Sequence, residues 1–418
     1  MKPRLVGGID VAVSDDMISA ASGVGLSPVL QPIVSLPTGD VIGFEALARW
    51  PSLDNPCPVD VFAFASEAGQ LDRLDQLCVD AAIGTALARQ LPRGTLLAVN
   101  CEPASPYPGR AGNDLLARGH GELNVMFELT ERSLLIHPRA LLAKVAALRR
   151  DGFIIALDDV GAHPDSLSLL DVLMPDVIKL DLHLVQSQPR RGQTRTIAAV
   201  LAHQERTGAA ILAEGIENDD HLEQALALGA TLGQGFKYWR PGADESVHLW
   251  RQPAKTPLSQ RVLNSPCDLL SGAGVQRTAR KEILTALSRN IEDQAIHAAD
   301  PPMVLSTLPH ALNFTAGTRR RYVHLALLSP LVAVFGQELP SDLGFGIRGV
   351  TLRKTDPLSD EWIVMALGPQ IAVALIAREC QDPLNRGGSD KDRRFEFTVT
   401  YDRPLVTAVA RTLLERML

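Results

Sequence analysis

Carboxylate and amide side chains, with one lysine, recur where short apolar runs stop. They are Glu45, Asn100, Glu128, the pair Asp158 and Asp159, Lys179 with Asp181, Glu214 with Glu217, and Gln234. If those runs are parallel strands, the groups converge on one rim. Carboxylates gathered there repel one another strongly at low effective dielectric unless cations neutralise them. No Cys/His spacing of the kind that holds zinc accompanies them, which selects hard, oxygen-loving ions, Mg²⁺ or Mn²⁺. A single Asp or Asn after a strand serves equally well as a helix N-cap. A Glu is less readily a cap, and a Lys within Val177, Ile178, Lys179, Leu180, Asp181 does not suit a core. Taken together, the set predicts a metal-dependent phosphoryl-transfer site.

The elements that must position these groups are legible between Val29 and Pro241. The runs Leu96 to Asn100, Val125 to Glu128, Phe153 to Asp158, Val177 to Asp181 and Ile211 to Glu214 are rich in Val, Ile and Leu, as strands buried on both faces are. Arg139 to Arg150, Thr194 to Arg206 and His221 to Leu228 place apolar residues three and four apart, as helices do. Alternating strands and helices over this length predict an α/β fold, a (β/α) barrel or a doubly wound sheet, and in barrels active sites sit on the C-terminal rim.

The chain has 418 residues, with 41 Lys and Arg against 48 Asp and Glu, a net charge of −7. That length predicts two or three domains, and that charge disfavours duplex nucleic acid as a partner. Cys57, Cys78, Cys101, Cys267 and Cys380 are odd in number and scattered, which suits a reducing cytoplasm. No stretch reads as a signal peptide or a membrane span.

Gln31, Pro32, Ile33, Val34 followed by Phe44, Glu45, Ala46, Leu47, Ala48, Arg49, Trp50 resembles the signature of the EAL-domain phosphodiesterases of bacterial cyclic di-GMP signalling. The resemblance continues in order through Val99 and Asn100, Phe127 to Glu131, Leu157 to Asp159, Ile178 to Asp181, Ala213 to Glu217, and Gln234, Gly235, Phe236 with Pro241. It covers residues 24 to 246. It implies a TIM-like (β/α)8 barrel with a modified first strand, and hydrolysis of cyclic di-GMP to linear pGpG. It further implies two Mg²⁺ or Mn²⁺ ions, one held by Glu45, Asn100, Glu128 and Asp158, the other by Asp158, Asp159 and Glu214. Lys179 then orients the attacking water, with Glu214, Asp181 and Glu217 in the catalytic set, while Gln31, Arg49 and Gln234 face the substrate and Glu131 steadies the loop after Asp159.

That loop departs from the family. Where relatives continue Phe-Gly-Thr-Gly-Tyr-Ser-Ser-Leu, this chain has Val160, Gly161, Ala162, His163, Pro164, Asp165, Ser166, Leu167. In the family this segment supports the second metal and the dimer interface, so attenuated activity or a non-catalytic nucleotide receptor is the alternative reading. His163 is read as a solvated loop side chain rather than a ligand. The arginine runs Arg190 to Arg191, Arg319 to Arg321 and Arg393 to Arg394 are read as solvated faces.

The expected division is an N-terminal extension over 1–23, the barrel over 24–250, a Pro-containing linker over 251–267 and a smaller α+β domain over 268–418. In the last, a helix over Arg280 to Gln294 leads to strand-like runs at Met303 to Leu308, Tyr322 to Phe335, Trp362 to Leu367, Ile371 to Ala377 and Phe395 to Tyr401. A helix from Pro404 to Met417 closes it, and the stretch Gly387 to Lys391 reads as an exposed loop. Leu287 to Asp293 and Arg319 to His324 more weakly resemble DICT sensory domains. The expected partners are cyclic di-GMP, a second copy in a homodimer, and a signalling protein met through the C-terminal domain.

Overall fold

The structure is a computed structural model. It describes residues 15–129, 135–162, 164–187, 191–238, 247–250, 263–271, 277–310, 314–380 and 393–417. Glu131, His163, Arg190, Pro241, the loop Gly387 to Lys391 and most of the expected linker lie outside them.

Eight strands close into a barrel: β1 (Val29–Ser35), β2 (Val41–Leu47), β3 (Leu96–Cys101), β4 (Asn124–Leu129), β5 (Ile154–Val160), β6 (Val177–Leu180), β7 (Ala210–Ala213) and β8 (Leu232–Gly233). β2 to β8 run parallel, while β1 is antiparallel to both β2 and β8, which is the modified first strand. Helix α1 (Asp15–Ala21) precedes the first strand, and between the strands lie α2 (Pro58–Glu67), α3 (Leu71–Ala88), α4 (Asp114–Glu122), α5 (Pro138–Arg150), α6 (Leu170–Leu173), α7 (Leu182–Gln186), α8 (Arg191–Thr207) and α9 (Asp219–Ala227). α1, within the expected N-terminal extension, shares an apolar cluster with Trp50, Val61 and Leu74.

Strand periodicity explains how the barrel builds its rim. Ala98, Met126, Ala156, Val177 and Leu212 belong to one cluster, the packed interior. Leu97, Phe127, Leu157, Ile178 and Ile211 belong to the outer layer against the helices. Because side chains alternate faces, residues two positions beyond the interior set also face inward. Those residues are Asn100, Glu128, Asp158, Lys179 and Glu214.

The second domain carries a seven-stranded sheet ordered β12-β11-β10-β13-β14-β15-β9. Its elements are β9 (Arg277–Arg280), α10 (Lys281–Ile296), β10 (Met303–His310), α11 (Ala316–Ala326), β11 (Val332–Gln337), β12 (Ile347–Thr351), β13 (Glu361–Leu367), β14 (Ala372–Glu379), β15 (Arg394–Thr400) and α12 (Arg403–Leu414). The α+β expectation agrees with this. One correction is needed: Tyr322 to Phe335 is not a strand. Its first part completes α11, capped by the Thr315 hydroxyl, which accepts from the Thr318 amide, and only Val332 onward enters the sheet. Ser329 and Pro330 mark the break.

The two sheet faces differ. Val304, Val334, Val364 and Leu375 pack with Leu284 and Ile291 of α10 and with Leu325 of α11. Met303, Phe335, Met365 and Ile376 on the other face join a cluster containing Val406, Val409 and Leu413 of α12 and also Leu141, Leu170 and Leu173 of the barrel. The domains therefore share one apolar core, with α12 sandwiched between sheet and barrel. Among the described residues, no helix is long and apolar enough to cross a membrane.

Candidate active site

Lys179 stands at the centre of the barrel rim and is 1% exposed. Its Nζ lies 2.9 Å from Asp158 Oδ1, 2.9 Å from Glu214 Oε1, 3.1 Å from Glu128 Oε2 and 3.4 Å from Glu45 Oε2. Two amides complete the ring: Asn100 Nδ2 donates to Glu45 Oε1 at 3.0 Å and Gln234 Nε2 to Glu45 Oε2 at 3.1 Å. Five strands, β2 to β6, and the segments that follow β7 and β8 thus bring these residues together.

The charge balance is lopsided. Burial alone would lower the Lys179 ammonium, but Asp158, Glu128, Glu214 and Glu45 outweigh it and hold it well above the ordinary lysine range. Burial raises Glu45 too, yet Lys179 and the two amides prevail and keep it below the usual carboxylate value. For Glu128, burial and the Glu45 charge push the carboxyl well above that range, against Lys179. Burial pushes Glu214 up to about 8, with Lys179 opposing and Asp158 adding to the rise. One ammonium cannot satisfy four carboxylates.

Asp158 and Asp159 are adjacent yet both reach the rim because the β5–β6 register slips between Leu157 and Val160. Such a bulge re-aims side chains, and Asp159 takes a left-handed backbone, φ 55°. Asp158, Asp159 and Glu214 each offer an oxygen within 4.8 Å of the others. Glu128 Oε1 and Gln234 Oε1 are buried with no hydrogen-bond partner among the described residues. An all-oxygen donor set with orphaned acceptors and excess negative charge fits hard divalent cations.

Beside the ring lies a cavity of about 450 Å³ lined by Arg49, Asn100 and Asp159 together with Pro58, Phe62 and Asp75. Arg49 Nη1 donates to the Ala48 carbonyl at 2.8 Å. Gln31 sits opposite Glu45 in the β1–β2 register.

Asp181 is engaged away from the ring. It is the N-cap of α7, accepting from the His183 amide at 2.9 Å, with His183 Nδ1 at 2.8 Å. Glu217 is exposed in the segment after β7, where its amide lies 3.3 Å from His221 Nδ1.

One buried group escaped the sequence reading. Lys144 Nζ donates to the Glu102 carbonyl at 2.6 Å and lies 3.5 Å from Asp75 Oδ2, while Asp75 Oδ1 accepts from the Glu102 amide at 2.8 Å. This ties α3 and α5 to the end of β3 and shapes the cavity wall. Its signal was available: Asp75 follows Leu74 on the face of α3 that also carries Cys78 and Ala82, and Lys144 shares a face with Leu141, Val145 and Leu148.

A family model described as the EAL domain matches residues 15–241, more than half of the chain. The chain belongs to the EAL family. A second model, the DICT sensory domain of diguanylate cyclases and two-component systems, matches residues 271–380 behind the EAL barrel. Among curated relatives, the cyclic di-GMP phosphodiesterase RocR of Pseudomonas aeruginosa is 30% identical over 57% of this chain and 63% of that protein. The probable cyclic di-GMP phosphodiesterase PdeG of Escherichia coli is 29% identical over 55% of this chain and 47% of that protein. The chain thus spans less than two thirds of either. Of solved structures, Klebsiella pneumoniae BlrP1 in its calcium and cyclic-diGMP complex is 32% identical, with a TM-score of 0.45, over 52% of this chain and 55% of that one.

Proposed function

We propose that this EAL protein hydrolyses cyclic di-GMP to linear pGpG, supported by two Mg²⁺ or Mn²⁺ ions at the carboxylate ring. The observation that carries this reading is the ring itself: Lys179 within 3.4 Å of four buried or half-buried carboxylates. Glu45, Asn100, Glu128 and Asp158 would hold one ion, and Asp158, Asp159 and Glu214 the other. When bound, the ions polarise the phosphodiester and acidify water.

The chain's own groups do the rest. Lys179 and Glu214 are in mutual contact at 2.9 Å and together orient the attacking water. Gln234 and Asn100 hold Glu45 by its two oxygens and so fix a ligand's direction. Arg49 meets a substrate phosphate from the cavity wall, where a guanidinium gives bidentate recognition, and Gln31 flanks the same opening from β1.

The test is chromatography of cyclic di-GMP incubated with the purified protein and Mn²⁺. Metal-dependent appearance of pGpG is expected. Tight nucleotide binding without pGpG at any Mn²⁺ or Mg²⁺ concentration would overturn hydrolysis in favour of a receptor.

A further inference from the structure

The segment that leaves the carboxylate-bearing end of β5 draws part of its support from distant elements. After Asp159 the chain passes through a 3-10 turn over Pro164–Leu169 into α6, a single turn that ends at Met174 in a left-handed conformation, φ 51°. The last carbonyls of a helix have no partner within it, and in so short a helix almost none do. Here guanidinium groups from other elements supply the donors. Arg149 of α5 donates to the Leu173 carbonyl at 2.6 Å and also to that of Met174.

The C-terminal domain supplies the remainder. Arg411 of α12 donates to the Val172 carbonyl through Nε at 2.9 Å and through Nη2 at 2.5 Å. Arg403, at the start of α12, pairs with the Asp171 carboxylate while donating to the carbonyls of Gly368 at 2.8 Å and Pro369 at 3.0 Å in the β13–β14 turn. Asp171 also has Arg206 Nη2 at 3.1 Å and His203 Nδ1 at 3.2 Å, both from α8. Leu170, Val172 and Leu173 are buried in the core that α12 shares. Both ends of the second domain's grip thus fall on one helical turn, and that turn anchors the chain following Asp159.

We infer that Arg403 and Arg411 of the C-terminal domain are positioning residues for Asp159, setting through α6 the geometry of the second cation's ligands. This rests on the proposed two-ion reading of the ring. A helix held by donors from another domain follows that domain when it moves, and coupling of this kind typically changes affinity or rate about 5- to 150-fold.

The test uses the full chain and three variants, Arg403→Ala, Arg411→Ala and Arg403→Lys, with Arg321→Ala as a control. Arg321 pairs with Glu292 on the sheet face away from the barrel, so its loss perturbs the second domain without touching α6. Amide hydrogen exchange over 167–174 is measured on metal-free protein, and Mn²⁺ binding by calorimetry. Expected are faster exchange and about tenfold weaker binding of one Mn²⁺ in both alanine variants, partial recovery in Arg403→Lys, and neither effect in Arg321→Ala. Where hydrolysis is measurable, the loss should fall on kcat rather than KM and shrink at high Mn²⁺. Unchanged exchange and Mn²⁺ affinity in folded Arg403→Ala and Arg411→Ala, or equal changes in Arg321→Ala, would overturn the inference. Exchange and Mn²⁺ binding need no nucleotide turnover, so a failure of hydrolysis alone strikes the proposed function and leaves these readouts to decide.

Discussion

Lys179 Nζ and Glu214 Oε1 are 2.9 Å apart, joining β6 to the segment after its neighbour β7 at the mouth of the barrel. Glu214 is the more open partner, its side chain 21% exposed against 1% for Lys179. Glu214→Gln keeps the shape and removes the carboxylate that faces Lys179. Turnover is expected to fall about a hundredfold or more, with nucleotide affinity changed far less. Steady-state kinetics beside equilibrium nucleotide binding check it.

Lys179→Ala has a second consequence besides lost turnover. It leaves the ring's carboxylates without their buried cation, and such unpaired charge typically costs about 3–5 kcal/mol. Added Mn²⁺ should recover more stability in this variant than in the wild type, because a ligand of the folded state stabilises it by mass action. Thermal melts with and without Mn²⁺ read the difference.

Arg49→Ala should act on binding. A guanidinium hydrogen-bonded to a phosphate is worth about 1.5–3 kcal/mol, so cyclic di-GMP affinity is expected to drop at least about tenfold with a smaller effect on kcat. Calorimetric titration of nucleotide into the variant decides it. Unchanged affinity would return Arg49 to the role of a surface residue held by the Ala48 carbonyl.

The rebuilt loop separates into two sites. Val160 is fully buried and pairs with Leu180, so Val160→Phe should overpack the barrel and cost about 1–3 kcal/mol. Ala162 is exposed, and Ala162→Thr should be tolerated and raise the Mg²⁺-supported rate if the loop attenuates the site. Urea unfolding of the first variant and the Mg²⁺ to Mn²⁺ rate ratio of the second measure these outcomes.

Asp171 gives a pH signature. Burial would raise its carboxyl, but His203, Arg403 and Arg206 outweigh that and hold it well below its ordinary 3.8. A group depressed in the folded state contributes stability that is present above its unfolded value and lost as pH falls toward the folded one. Asp171→Asn should therefore destabilise by roughly 2 kcal/mol near neutrality, and the gap to wild type should close below about pH 3.8. Urea midpoints of both proteins across that range test it.

The barrel strands were legible because strands covered on both faces read as unbroken apolar runs, and the rim because its polar residues ended those runs. Where burial was one-sided or partial the reading failed. β12, with Arg348 and Gly349 in a half-buried edge, and β9, whose Arg277, Thr278 and Arg280 are exposed, carry too little apolar signal to be seen. Tyr322 to Phe335 was misread because the apolar face of α11 and the start of β11 abut in sequence with only Ser329 and Pro330 between them. The ring's residues were named, but Lys179's place at its centre was not visible, since distance between strands is absent from a one-dimensional pattern. For the same reason nothing marked Asp171 as a meeting point of α8 and α12, although an Asp inside the apolar run Leu169 to Leu173 was a hint.

The sandwiching of α12 bears on how such proteins can be recombined. A sensory module joined to a catalytic one by a tether can be exchanged by cutting the tether. Here separating barrel from sheet would strip Leu141, Leu170 and Leu173 of their cover and leave the barrel-facing side of α12 open to water on the other piece. A working chimera must instead carry the whole mating face, α5 and α6 with α12, as one transplanted unit, so the portable part of this chain is a seam rather than a domain.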